Sequence, residues 1–230
     1  MKIFQLFSTL TLLLFFCLPG MRLPEKKEYL SITSSNSARG FKTLGQAYLE
    51  INQSHLKPAG ILTTPIDLDK LYHMTLIGFD VCPISTITDS QKASLKLKLT
   101  QALEEATRDA IKNTLNHLES KAGKPTPMTL RFAYLGVFKK KIVGIFEVTP
   151  VIQKFVDTIE NYFHNNIKRM NLSGLISKIQ KHQSILQPHV SVATITNKHT
   201  AYGAGFTPKI KVSDFLITKP DYFVSAQWRQ

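Results

Sequence analysis

The chain has 230 residues, 43% of them hydrophobic, a length and composition that suit one domain of two lobes around a sizeable core. Lys and Arg number 29 against 16 Asp and Glu, and the formal charge of +13 attracts polyanions such as nucleic acid, nucleotides or an anionic envelope surface. With 2 cysteines, no CxxC and no His/Cys cluster at zinc spacing, the composition excludes a disulfide scaffold and a structural zinc site.

Residues 1–20 differ from the rest. Lys2 precedes an apolar run that ends at Pro19-Gly20, the pattern of a cleaved secretory signal peptide, so a periplasmic or secreted protein is expected. The alternative is an uncleaved anchor, and membrane association is expected only in that case. Bulky Phe15 and Phe16 ahead of Cys17 argue against lipidation. Cleavage after Gly20 leaves Cys82 as the single cysteine, which rules out an intramolecular disulfide; beside Pro83 it reads as a small buried hydrophobe.

Residues 21–40, rich in Ser, Thr and Asn from Ser31 onward, read as a polar linker, with the domain proper at 41–230. Residues 45–51 alternate as a strand, a short helix being the other assignment, and Pro58 and Gly60 mark a turn. A strand is predicted at 71–79 and a loop at 82–88. Asp89 or Ser90 then caps a long helix, with Leu95, Leu99, Leu103, Ala106 and Ala110 at three- and four-residue intervals and Gly123 and Pro125 at its end. Residues 128–138 and 142–148 form a hairpin. Lys139, Lys140 and Lys141 at its tip read as charge that discourages edge-to-edge pairing. Thr149 and Pro150 open a second helix, as N-cap and first-turn proline, that runs to about Ile167. The basic segment 168–187 reads as a short helix within a long connection. Strands follow at 189–196 and 209–217, and 222–228 can add another.

Two of these strands carry the same motif. His73-Met74-Thr75-Leu76 and His189-Val190-Ser191-Val192 both read His, apolar, hydroxyl, apolar. Since strand side chains alternate between faces, each copy presents an imidazole and a hydroxyl together and turns its two apolar residues to a core. His182-Gln183-Ser184 shares the spacing but has a polar residue where the strand needs an apolar one, and His55, His117, His164 and His199 lack the hydroxyl. Two imidazoles supply a general acid and a general base near neutral pH, and two hydroxyls can donate to phosphate oxygens. A two-histidine metal site would need a third ligand, and neither motif has a neighbouring carboxylate.

On these two motifs the chain resembles the two-histidine (2H) phosphoesterase superfamily, which includes RNA 2′,3′-cyclic phosphodiesterases of the 2′-5′ RNA ligase type, related cyclic-nucleotide phosphodiesterases and RNA 3′-end exonucleases. The resemblance covers about 41–217. Its order of motif strand, helix, hairpin, helix and motif strand implies an α+β fold of two pseudo-symmetric lobes, with antiparallel sheets and helices packed outside. The separation of His73 from His189 is longer than in compact members, and Ser191 replaces the commoner Thr. The resemblance implies a metal-independent phosphodiesterase, without cofactor, acting as a monomer on RNA ends, 2′,3′-cyclic phosphates or 2′-5′ linked nucleotides. His73, Thr75, His189 and Ser191 would be catalytic, with either histidine as acid or base. Tyr72, Tyr134, Tyr202, Phe206 and Trp228 are the aromatic residues available to stack on a base. The competing expectation is a non-catalytic basic module of the same fold that holds RNA or another polyanion. A third is hydrolysis of a non-nucleic phosphodiester.

Overall fold

The computed structural model describes residues 28–38, 42–66, 72–83, 87–115, 128–181, 187–197, 204–217 and 221–229. The expected signal segment at 1–20, the helix stop at Gly123 and Pro125, and Tyr202 lie outside the described residues.

The stretch read as linker contains strand β1 (Tyr29–Ala38), which is interior to the main sheet. It runs antiparallel between β3 (Tyr72–Pro83) and β11 (Tyr222–Arg229). Its hydroxyls are used rather than solvated: Thr33 Oγ1 lies 2.9 Å from Ser225 Oγ, and Ser37 Oγ donates to the Asp221 carbonyl at 2.8 Å. Leu30 and Ile32 are fully buried on the opposite face. Residues 45–51, which alternate like a strand, belong instead to helix α1 (Lys42–Ile51), followed by a wider turn at Asn52–Leu56. Leu44, Ala47, Tyr48 and Ile51 are buried at helical spacing, and that stripe outweighs the local alternation.

β2 (Thr63–Pro65) lies along β8 (His189–Ile195). Helix α2 (Asp89–Leu115) is capped one residue earlier than expected, by Thr88. Thr88 Oγ1 accepts from the Gln91 N–H at 3.3 Å, and Gln91 Oε1 accepts from the Thr88 N–H at 2.7 Å, a reciprocal capping box. The first arm of the expected hairpin breaks at Arg131 into β4 (Met128–Leu130) and β5 (Phe132–Phe138), and β6 (Lys141–Phe146) returns along β5. Thr149 caps helix α3 (Pro150–Arg169), its Oγ1 accepting from the Ile152 N–H at 3.3 Å. Among the described residues of the segment expected to hold a short helix, the preceding helix ends at Arg169 and a 3₁₀ turn at Ser173–Leu175 leads into strand β7 (Ile176–Lys181), which pairs with β3. β9 (Gly205–Phe206) adds to β5. The strand expected at 209–217 shortens to β10 (Phe215–Ile217), paired with β4 in a separate two-stranded sheet.

The main sheet runs β11-β1-β3-β8-β6-β5-β9, with every pairing antiparallel. It divides into two halves. β3 pairs with β1 on one side and gives its other side to β8 at Met74↔Val190 and to β7 from Phe79 onward. β8 does the same in reverse, with β6 on one side and β3, then β2, on the other. The halves therefore meet at Met74↔Val190 and fork away from it, an α+β architecture of two pseudo-symmetric lobes. The helices take the apolar face of the sheet: Ile152 and Val156 of α3 lie against Met74 and Leu76, and Leu44 of α1 lies against Gly144 of β6. Asn166 of α3 ties the two long helices together, its Nδ2 donating to the Ala102 carbonyl at 3.0 Å.

Candidate active site

Met74 and Val190, 1% and 0% exposed, turn into the core at the point where the halves join. Burying such side chains contributes about 1.5–3 kcal/mol each, so the join is held from beneath. Their neighbours must then face the other way. Continuing the antiparallel Met74↔Val190 register by one residue in each direction sets His73 across from Ser191 and Thr75 across from His189. Each imidazole thus stands opposite the other motif's hydroxyl, and the two histidines lie on a diagonal. His73 is exposed, and Thr75, His189 and Ser191 are half-buried, in keeping with the open face of the sheet.

Each ring is flanked by a phenylalanine. Phe223 of β11 meets His73 edge-on, with centroids 5.9 Å apart at 71°, and Phe138 at the end of β5 lies 5.2 Å from His189. His189 Nδ1 is 2.9 Å from the Gln187 carbonyl oxygen. A carbonyl only accepts, so Nδ1 carries the hydrogen of the neutral ring. Partial burial first, then the positive charges of His189 and Lys141, hold the His73 imidazole below its ordinary value of 6.5.

Lys141 is the residue that local sequence reading missed. The hairpin tip is not at a sheet edge, because β6 lies between β5 and β8 and the Lys140 carbonyl accepts from the Ile195 N–H at 2.9 Å. The charge therefore does not guard an edge. A bulge at Val192, where the register skips from Ile142↔Ala193 to Val143↔Ser191, returns Thr194 to the same face as Ser191. Lys141 pairs with Thr194 there, and its Nζ donates to Thr194 Oγ1 at 3.3 Å.

The expected stacking residues separate by face. Tyr72 is 5% exposed and points with Met74 into the core, so it offers no platform. Phe206 is paired opposite Leu135 and packs on His55 at 5.5 Å, away from the histidines. Trp228 pairs with Leu30 and receives Lys92 Nζ at 5.8 Å, on the helix side. Tyr134 alone of the described four lies on the histidine side. It pairs with Ile145, which pairs with His189, and its ring passes over Gly136 and Gly205, where an added Cβ would sit only 3.2–3.3 Å from it. Among the described residues there is no group of three His, Cys, Asp or Glu side chains able to hold a metal ion.

No family model and no curated protein matches the chain. Among solved structures, the chain is similar to the MHV ns2 PDE domain, with 14% identity, a TM-score of 0.41, and coverage of 82% of this chain and 99% of that one. It is also similar to E. coli LigT in apo form, with 8% identity, a TM-score of 0.37, and coverage of 88% and 94%. For E. coli LigT complexed with 3′-AMP the identity is 10%, the TM-score 0.35, and the coverage again 88% and 94%. The function of the paired motifs is accordingly read from their own side chains.

Proposed function

We propose that the paired motifs hydrolyse a phosphodiester without a metal, at RNA ends, 2′,3′-cyclic phosphates or 2′-5′ linked nucleotides, and that the protein acts outside the cytoplasm. The carrying observation is the diagonal set by Met74↔Val190, which puts an imidazole and a hydroxyl on each of two adjacent strands, on one face of the sheet. Export is supported by the pattern of residues 1–20, and a polyanionic substrate by the charge of +13.

In this reading His73, held neutral, takes a proton from water as the water oxygen attacks phosphorus. His189 is the acid, its ring oriented by the Nδ1–H bond to the Gln187 carbonyl. As the new P–O bond forms, the bond to one ribose oxygen breaks on the opposite side, and Nε2 of His189 protonates that oxygen. Thr75 and Ser191 donate to the non-bridging oxygens, whose charge grows in the transition state. Proton exchange with solvent restores the starting forms.

The test is turnover of 2′,3′-cyclic AMP in excess EDTA, followed by product separation. Activity should persist in EDTA, and His73→Ala and His189→Ala should each lower kcat by about 10²- to 10⁴-fold. Full activity in either variant sinks the proposal. Salt-sensitive RNA binding that survives loss of both histidines, with no turnover by the wild type, would favour the non-catalytic module instead.

A further inference from the structure

Past the two motifs, the face of the sheet that carries the histidines continues along β6 and β8 to the β5–β6 turn, where Lys141 pairs with Thr194. Lys141 is fixed by its backbone on both sides, paired to Phe138 in β5 and to Thr194 in β8. Its ammonium is held at Thr194 Oγ1 rather than left to sweep through solvent. The turn is tied down as well, through the Lys140 carbonyl and the Ile195 N–H. Lys139 adopts φ 54° and folds its Nζ back to 5.7 Å from the Phe138 ring, the same ring that flanks His189. Two ammonium groups are thus placed at this end of the face, one at Thr194 Oγ1 and one over the ring that flanks His189, while Thr194 adds a hydroxyl. With a rise of about 3.3 Å per residue and one residue taken up by the bulge, Thr194 lies about 7 Å along β8 from Ser191. That is a span suited to the separation of two phosphates on one nucleoside.

From this we infer that Lys141 and Thr194 form a second phosphate subsite, so that the preferred substrate carries another phosphate on the 5′ oxygen of the nucleoside whose 2′,3′ end reacts. This rests on the phosphodiesterase reading above and narrows it: a bare cyclic mononucleotide is a minimal substrate, and one extended by a phosphate on its 5′ side is the fitting one. The added phosphate makes charge-assisted hydrogen bonds to the Lys141 ammonium. Its source is either a terminal 5′-phosphate or an internucleotide diester, since both occupy the same 5′ oxygen.

Equilibrium binding of 3′-AMP, adenosine 3′,5′-bisphosphate and the dinucleotide ApAp without a 5′-phosphate to the full chain tests the subsite without requiring turnover. The bisphosphate, the dinucleotide or both should bind about tenfold or more tightly than 3′-AMP, and whichever shows the advantage identifies the source. Lys141→Met should abolish that advantage and lower the salt slope by roughly one, whereas Lys141→Arg should keep it. Lys154→Met, on exposed α3, makes the same charge change elsewhere and should leave the advantage intact. A wild type that binds all three ligands equally, or an advantage that survives Lys141→Met, overturns the subsite. Turnover of 2′,3′-cyclic AMP with no such advantage would remove the subsite and leave the phosphodiesterase standing. The advantage without turnover of any cyclic substrate would do the reverse.

Discussion

Gly144 is where the support beneath the site can be measured. It sits in β6 opposite Val190, and a Cβ built on it would meet Leu44 Cδ1 at 2.7 Å and Cδ2 at 3.2 Å. Leu44 is 0% exposed, so its methyl groups have no solvent to move into. Gly144→Ala must therefore displace the buried Leu44 side chain, over-packing of a kind that costs about 1–3 kcal/mol. Leu44→Val removes one methylene from the same place and on its own costs roughly 1 kcal/mol. Combining them nearly conserves volume and should cost less than about 1.5 kcal/mol, below the sum of the single changes. Urea unfolding followed by Trp228 fluorescence reads all four corners of this cycle, and each kcal/mol corresponds to about 2–4 °C in Tm at this chain length. Since β6 also carries Ile145, the partner of His189, the Ala variant should lose phosphodiesterase activity and the double variant should regain it. Additive costs, or an unchanged Gly144→Ala protein, would refute the packing argument.

Three further outcomes are expected. Asn36 is 0% exposed, and neither its Oδ1 nor its Nδ2 has a hydrogen-bond partner, so Asn36→Leu, similar in shape, should raise stability by about 1–3 kcal/mol; a lower urea midpoint would count against this. Because His73 binds protons more weakly folded than unfolded, stability is fully present above the unfolded value near 6.5 and is lost as pH falls through that region toward the folded value. Urea midpoints at about pH 7.5 and 5.5 should accordingly differ more in the wild type than in His73→Gln, and equal differences would exclude the linkage. Phe138→Ala removes the ring beside His189 and should lower kcat about tenfold or more with little change in circular dichroism, whereas a loss confined to KM would mean that the ring contacts substrate and does not seat the imidazole.

The motif histidines and their hydroxyls were legible because period-two alternation is local. His73 with Thr75 and His189 with Ser191 need only their own strands to define a shared face. What joined the copies, the Met74↔Val190 register, depends on strands far apart in sequence and leaves no local trace. β1 was lost for a related reason. Ser31, Ser34, Ser35 and Asn36 are buried polar residues whose strand is made by neighbours on both sides, and nothing in Ser, Thr and Asn composition reveals those neighbours. The role of Lys141 was hidden likewise, since a lysine at a hairpin tip looks alike whether its strand is an edge or has β8 beside it. Tyr72 is the opposite case: alternation alone, applied one residue further from His73, would have sent it to the core.

The fork at Met74↔Val190 has a mechanical meaning. His73 and His189 stand on different half-sheets, so the distance between them is a property of how far the halves are splayed, not of either motif alone. A phosphate gripped by Thr75 on one half and Ser191 on the other becomes a strut across the fork. Substrate then stiffens the very gap in which it reacts, and a small anion that spans the gap should stabilise the whole fold by mass action.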